Sequence, residues 1–161
     1  MRKFTVVLAA GMVFGASSMA MAGATANQTV TYEVTAINEM SASGNPGNLT
    51  VNAAVAGSAP TLVSDATTTY AITTNESRKI TGSINTDMPS GVTLSVALAA
   101  PGVGSSLGDV TLTDAAADLV TGITPVAASS NEITYKLSAT PAAGVVPSAT
   151  KTVTLTIAAA L

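Results

Sequence analysis

In the stretch TKTVTLTI, residues 150–157, Val153, Leu155 and Ile157 alternate with Thr152, Thr154 and Thr156. Side chains of a β-strand alternate between its two faces, so Val153, Leu155 and Ile157 are expected on one face and threonines on the other. Threonine is β-branched, so it supplies a polar face without weakening the strand. The stretch therefore predicts a strand with one buried and one exposed face.

The same alternation recurs along the chain. The predicted strands are residues 29–37, 49–55, 68–74, 79–85, 92–99, 110–113, 120–126, 132–139 and 150–157. Strand 120–126 is the weakest of them, because Gly122 and Pro125 interrupt it. One segment, DAAADLV at residues 114–120, is expected to be helical instead, with Thr113 as its N-cap.

Segments rich in Gly, Pro, Ser and Asn separate these strands, for example SASGNPGN at 41–48 and APGVGSSLG at 100–108. Such segments predict turns that end the strands. Short strands separated by turns at regular intervals are typical of a sandwich. We therefore predict an all-β fold, a single antiparallel β-sandwich of immunoglobulin-like or Greek-key type over residues 23–161.

The first 22 residues, MRKFTVVLAAGMVFGASSMAMA, are predicted to be a secretory signal peptide of bacterial style. Arg2 and Lys3 precede an apolar run, and Ala20-Met21-Ala22 fits the small-residue cleavage rule, with residues 24–26 as the alternative. A retained membrane anchor is the other interpretation, but the run is shorter than the roughly 20 residues of a spanning helix. We expect a secreted or cell-surface protein, or a periplasmic one, without a membrane span in residues 23–161.

The composition excludes several kinds of chemistry. The chain has no His and no Cys, which removes Ser-His-Asp and Cys-His nucleophilic sites and the usual zinc ligands. Four Lys and Arg remain beyond residue 22 against nine Asp and Glu, a net charge of −5. Nucleic acid binding needs clustered cations, so we expect no nucleic acid partner. We also expect no enzymatic activity and no cofactor.

A calcium site is the one metal site that the sequence leaves open. In GDVTLTDAAAD, residues 108–118, Asp109, Asp114 and Asp118 carry carboxylates of the kind that Ca²⁺ binds. Their spacing differs from that of an EF-hand loop, and three acids fall short of about six to eight oxygen ligands. The alternative is that two of them serve turns and the third ends a helical turn.

The only aromatic residues beyond the signal peptide are Tyr32, Tyr70 and Tyr135. Each is in phase with the apolar residues of its predicted strand, so all three are expected in the core. A carbohydrate-binding surface, which uses aromatic platforms, remains the alternative.

The two outermost predicted strands, 29–37 and 150–157, are candidates for self-assembly. An edge strand leaves backbone groups unpaired, and a second chain can pair with them. Few residues would prevent this, since Glu33 and Lys151 are the only charges in these two strands. The predicted assembly residues are Val30, Tyr32, Val34, Val153, Leu155 and Ile157. The alternative is that both strands complete their own sandwich.

Three stretches carry a resemblance: TTTYAITTN at 67–75, KITGSINTDMPSGVTLSVALAAP at 79–101 and ADLVTGITPVA at 117–127. They are similar to those of exported bacterial β-sandwich proteins, and the chain more distantly resembles subunits of fimbriae and secreted coats. The chaperone–usher fimbrial subunits typically have a disulfide and an aromatic residue near the C-terminus, and this chain has neither.

The resemblance implies an exported protein with a structural role. The composition and the terminal strands further predict a protein of the bacterial surface or extracellular matrix, partnered with itself or with other surface proteins. Assembly into a filament by strand exchange is the expected mode. The alternative is a monomeric binding module for carbohydrate or adhesion.

Overall fold

The computed structural model describes residues 25–160, and the chain divides into two units after Glu33. Residues 25–33, the described part of the first unit, contain neither helix nor strand. Regular structure in the described residues belongs to the second unit, which starts at Val34. The predicted signal peptide, residues 1–22, lies outside the described residues.

Within residues 25–160 there are nine strands and one 3-10 helix. The strands are β1 Asn38–Ala42, β2 Val63–Thr74, β3 Arg78–Ile84, β4 Val92–Leu98, β5 Ser105–Ser106, β6 Val110–Thr111, β7 Ala117–Ile123, β8 Val126–Ala139 and β9 Val153–Ala159. The 3-10 helix is Pro141–Ala143. No helix in this part of the chain has the length and apolar character needed to cross a bilayer.

The strands pair antiparallel in two sheets. One sheet has the order β1-β2-β8-β4-β6, and the other has the order β5-β7-β3-β9. Strands that follow one another in sequence often lie in different sheets, as β2 and β3 do. The predicted all-β fold of antiparallel sheets, consistent with a sandwich, is confirmed.

Short turns connect a strand of one sheet to a strand of the other, so the ends of the sandwich can be defined by these turns. The turn at residues 75–77 joins β2 to β3, and β1 begins beside it. We call this the Asn75 end. The turn at residues 85–91 joins β3 to β4 at the opposite end, where β9 begins with Val153 opposite Ile84. We call this the Met88 end.

The core lies between the sheets and follows the period of two. In β4 every second residue from Leu94 to Leu98 is buried, and in β3 the same holds from Ile80 to Ile84. Both sheets therefore contribute an apolar inner face and a more polar outer face. The largest fully buried side chains are Tyr70, Ile72, Ile80, Leu98, Leu112, Leu119, Ile123, Ile133, Val96 and Val120.

Two buried hydroxyl groups of β2, those of Tyr70 and Thr68, differ in their hydrogen bonding. Tyr70 Oη donates a hydrogen bond of 2.5 Å to the carbonyl oxygen of Ala99. Burial raises the pKa of Tyr70 to about 12, so the hydroxyl keeps its proton at neutral pH. Thr68 Oγ1 is also buried, but it has no hydrogen-bond partner among the described residues. An unpaired buried hydroxyl lowers stability.

The predicted first strand, residues 29–37, is wrong. Residues 25–37 contain no strand, and β1 begins at Asn38. The alternation in residues 29–34 is that of a strand, but a strand forms only where a neighbouring strand completes its hydrogen bonds. Within the described residues, no strand pairs with this segment.

The predicted strand at residues 49–55 is also wrong. This segment contributes only an isolated bridge between Ala54 and Pro60. Leu49 packs against the core and is half-buried, whereas Val55 is exposed. The segment therefore crosses the surface as a loop, because only part of it meets an apolar neighbour.

The predicted helix at residues 114–120 is wrong as well, since Ala117–Ile123 is strand β7. Ala117 pairs with Gly82 and Asp118 pairs with Thr81 of β3. The strand buries Leu119 and Val120 completely, so sheet packing overrides the helical preference of alanine. The weak strand at 120–126 is accordingly divided between β7 and β8.

Candidate assembly site

Residues 25–34 present apolar side chains to solvent. Val30, Tyr32 and Val34 are 76 %, 89 % and 78 % exposed. They are spaced two apart, so in an extended chain they would lie on a single face. Three large apolar side chains with this spacing form an exposed patch, and such patches mark interaction surfaces. The predicted assembly residues of this segment thus lie outside any strand and are available for contact.

The three tyrosines, all expected in the core, differ in their surroundings. Tyr70 and Tyr135 are 1 % and 7 % exposed, which agrees with their predicted place in the core. Tyr32 contradicts that prediction, because its segment is not part of the sandwich. The phase of the pattern therefore predicts the position of Tyr70 and Tyr135, which lie in strands, but not that of Tyr32, which does not.

Asn75 holds the residues that precede β1. Its side-chain Oδ1 accepts a hydrogen bond of 2.8 Å from the Ile37 amide, and its Nδ2 donates one of 2.8 Å to the Thr35 carbonyl oxygen. The Asn75 amide also donates to the Ile37 carbonyl oxygen at 3.2 Å. Residues 35–37 are therefore fixed to the Asn75 end of the sandwich, although they belong to no strand.

The first residue of β1 is held by a polar cluster next to Asn75. Asn38 Nδ2 donates to Glu76 Oε2 at 2.7 Å, and Asn38 Oδ1 accepts from Arg78 Nε at 2.9 Å and from Thr74 Oγ1 at 2.7 Å. Arg78 also forms an ion pair with Glu76. The hydrogen bond from Asn38, followed by that from Arg78, holds the pKa of Glu76 below its usual value of 4.5. The cluster ties β1 to the turn between β2 and β3.

The inner face of β9 is incompletely covered. Within residues 25–160, β9 pairs only with β3, so its other edge is open to strand pairing, although β1 passes close to β9. Val153, Leu155 and Ile157 point to the core side but are only half-buried, whereas Ile80 and Ile84 of the adjacent β3 are buried. The apolar residues that the sequence predicts for this strand are confirmed as its inner face, and part of that face remains accessible.

A groove of about 740 Å³ lies beside the open edge of β9. β1 and the loop after it form one side, and residues 149–155 form the other. Lys151 is the only charged residue among the described residues that line this groove. The large apolar residues that line it are Met40, Leu49, Met88, Leu94, Tyr135, Leu137, Val153 and Leu155. Burial raises the pKa of Tyr135, so its ring adds no charge at neutral pH.

A second groove of about 680 Å³ lies next to the first, toward the Met88 end. Residues 49–54, residues 139–141, residues 146–151 and Pro89 contribute to its walls. The two grooves have several lining residues in common, including Leu49, Met88 and Leu137. Together they form a gap that both polar and apolar residues line.

The structure does not bring the three calcium candidates together. Asp109 pairs with Lys136, with 2.6 Å between Oδ2 and Nζ. Asp118 pairs with Lys79, with 3.0 Å between Oδ1 and Nζ. The Asp114 amide donates a hydrogen bond to Asp87 Oδ1 at 3.0 Å. Residues 25–160 hold no group of three His, Cys, Asp or Glu side chains that could bind a metal ion.

No catalytic arrangement emerges from the titratable residues in the described part of the chain. The ionic contacts there are three pairs, Glu76 with Arg78, Asp118 with Lys79 and Asp109 with Lys136. Each pair is partly exposed, which is typical of surface ion pairs that make a small contribution to stability. The absence of enzymatic activity stays a prediction.

Comparisons with known proteins give no relative for this chain: no family model, no curated protein and no solved structure matches it. The interpretation of the site therefore depends on its own geometry.

Several residues of this site carry no signal in the sequence. Asn75 is one of many polar residues in turns, and its role emerges only because β1 lies beside the turn. Met40, Met88 and Leu137 are ordinary apolar residues that meet at one groove from distant parts of the chain. A partial signal exists for β9, because its alternation predicts an apolar face.

Proposed function

We propose that this chain is an exported structural protein of the bacterial surface or extracellular matrix, a filament subunit that assembles by exchange of a terminal strand. The observation that carries the proposal is the exposure of three apolar side chains, Val30, Tyr32 and Val34. Their spacing is that of one face of a strand, and they lie outside the sheets of their own chain.

The physical reason is the free energy of apolar surface in water. Burial of a large apolar side chain stabilises a structure by about 1.5–3 kcal/mol, and this segment leaves three of them exposed. A segment that also lacks a strand partner has unpaired backbone groups to offer. Addition to the edge of another sheet satisfies both the side chains and the backbone at once.

Location and partners follow from the signal peptide and the composition. Export accounts for residues 1–22, and the lack of cysteine is consistent with a fold stabilised by sheet pairing and burial. The solvent-exposed faces of the strands are rich in threonine and carry few charges, which favours lateral contact between copies. The proposed partners are further copies of the chain or other surface proteins.

A monomeric binding module is the second candidate. It is favoured by the two neighbouring grooves of about 740 and 680 Å³, which have the size of small-molecule sites. A short glycan or an extended peptide would fit such a gap. This candidate gives no role to the exposed apolar face of residues 30–34.

The two candidates are separated by the assembly state of the exported protein. We expect the full-length chain, exported and purified from a bacterial host, to form species whose mass rises with concentration in light scattering. Negative-stain microscopy should show filaments. A sample that stays monomeric at high concentration would refute the filament proposal. Binding of such a monomer on a glycan array would support the module.

A further inference from the structure

We infer that the groove beside β9 accepts residues 28–34 of a second copy of the chain, which add to β9 as an antiparallel strand. This inference rests on the proposed function, because it names the donor segment and the acceptor edge of the filament contact.

The anchor of the donor segment and the groove differ in their position on the sandwich. The donor segment starts at the Asn75 end, where Asn75 holds Thr35 and Ile37. The groove opens toward the Met88 end, where Met88 and the start of β9 line it. The residues that anchor the donor segment, Thr35 and Ile37, thus lie at the opposite end of the second unit from Met88 and the start of β9. A contact of this kind joins different surfaces of two copies and repeats head to tail, which produces a filament.

The chain direction of the donor segment is compatible with antiparallel pairing to β9. A segment that arrives at the Met88 end of the next copy has Val34 at that end and residue 28 nearer the Asn75 end. β9 runs the opposite way, from Val153 at the Met88 end to Ala159 at the Asn75 end. The donor and β9 are therefore antiparallel, as are all the strand pairs within the described residues.

The length and the apolar positions of the two segments define a register between them. β9 has seven residues, and residues 28–34 form a segment of equal length. Directly opposed residues of an antiparallel pair point to the same face. The register that joins the apolar faces sets Tyr32 opposite Leu155. The pairs that follow are Val34 with Val153, Val30 with Ile157 and Thr31 with Thr156.

The donor residues also match the acceptor in polarity and in charge. In this register the three apolar side chains turn toward the half-buried inner residues of β9. Two of those inner residues, Val153 and Leu155, line the groove. Glu33 is the only charge in residues 25–34, and it turns outward beside the threonines of β9. No carboxylate is among the described residues that line the groove, so Glu33 meets no like charge there.

The test is a disulfide cross-link in the full-length exported chain, which has no cysteine of its own. The reporter variant is Thr31→Cys with Thr156→Cys, two exposed residues that the register places opposite each other. The matched control is Thr31→Cys with Ser105→Cys. Ser105 is exposed and lies in β5, at the other edge of the same sheet.

We expect the reporter variant to form a ladder of cross-linked multimers on oxidation and to return to monomer on reduction. The control should form no ladder under the same conditions. Circular dichroism should show the same strand content for both variants. If the reporter pair fails to fold, Thr29→Cys with Ala158→Cys tests the same register.

The other outcomes separate the inference from the proposed function. A cross-linked monomer would show that the segment occupies the groove of its own chain, and this would overturn the inference. Filaments without a reporter ladder, or equal ladders in both variants, would overturn it while the filament proposal stands. Absence of both assembly and cross-links would overturn the inference and the proposed function together.

Discussion

Replacement of Tyr32 by alanine should weaken assembly and leave the fold of the single chain unchanged. Tyr32 is 89 % exposed, so nearly all of its ring is available for burial at an interface. If burial removes about 100 Å² of apolar ring from water at about 25 cal/mol per Å², the contact contributes about 2.5 kcal/mol. That free energy corresponds to about a 60-fold change in an equilibrium constant.

The assay is the critical concentration for assembly, measured as the protein left in the supernatant after filaments are pelleted. Tyr32→Ala should raise it about 60-fold, and Val30→Ala, which removes less surface, should raise it about tenfold. Val145→Ala is the matched control, because Val145 is 99 % exposed but lies outside the segment. An unchanged critical concentration for Tyr32→Ala would refute burial of the ring. Equal effects of the two valine substitutions would refute the specificity of the segment.

Three further predictions concern the fold. Thr68→Val removes a buried hydroxyl that has no hydrogen-bond partner in the described residues. The free energy of unfolding, measured in urea, should therefore rise by about 1 kcal/mol. A decrease would show that the hydroxyl has a hydrogen-bond partner. Gly91 and Gly102 share a φ of +79°, but only at Gly91 would a Cβ lie 2.8 Å from a backbone nitrogen. Gly91→Ala should therefore cost about 1–3 kcal/mol more stability than Gly102→Ala in the same assay, and equal costs would contradict the steric reason. The lowered pKa of Glu76 stabilises the folded state above its usual pKa of 4.5, and this stability is lost as the pH falls through the folded-state pKa. Glu76→Gln should flatten the acid side of a stability curve measured between about pH 3 and pH 7; a curve identical to that of the parent chain would show that the carboxylate contributes nothing.

The prediction of fold class succeeds because it depends on a local pattern that the chain repeats. In β3, β4, β9 and the core part of β2 the apolar residues at alternate positions do form the inner face. Tyr70 and Tyr135 are buried for the same reason. The period of two is a property of neighbouring residues, so it can be read without knowledge of the partner strand.

The wrong predictions have one cause in common, which is the need for a partner. Residues 29–37 and 49–55 have the pattern of strands, but within the described residues the sheets offer no ladder to complete them. Residues 117–120 have a composition that favours a helix, yet they become part of β7 because β3 lies beside them. Local preferences differ by about 1 kcal/mol, which pairing and burial readily exceed.

The sequence by itself determines that this protein is a threonine-rich β-sandwich without His or Cys. It also determines which side chains form the apolar faces of β3, β4 and β9, and it gives Val30, Tyr32 and Val34 the spacing of such a face. The tertiary structure alone decides which of those faces is covered, where Asn75 fixes the start of β1, and that a groove remains beside β9. The reason is that an apolar face is encoded by adjacent residues, whereas its cover comes from strands that are distant in the chain and meet only in the folded protein.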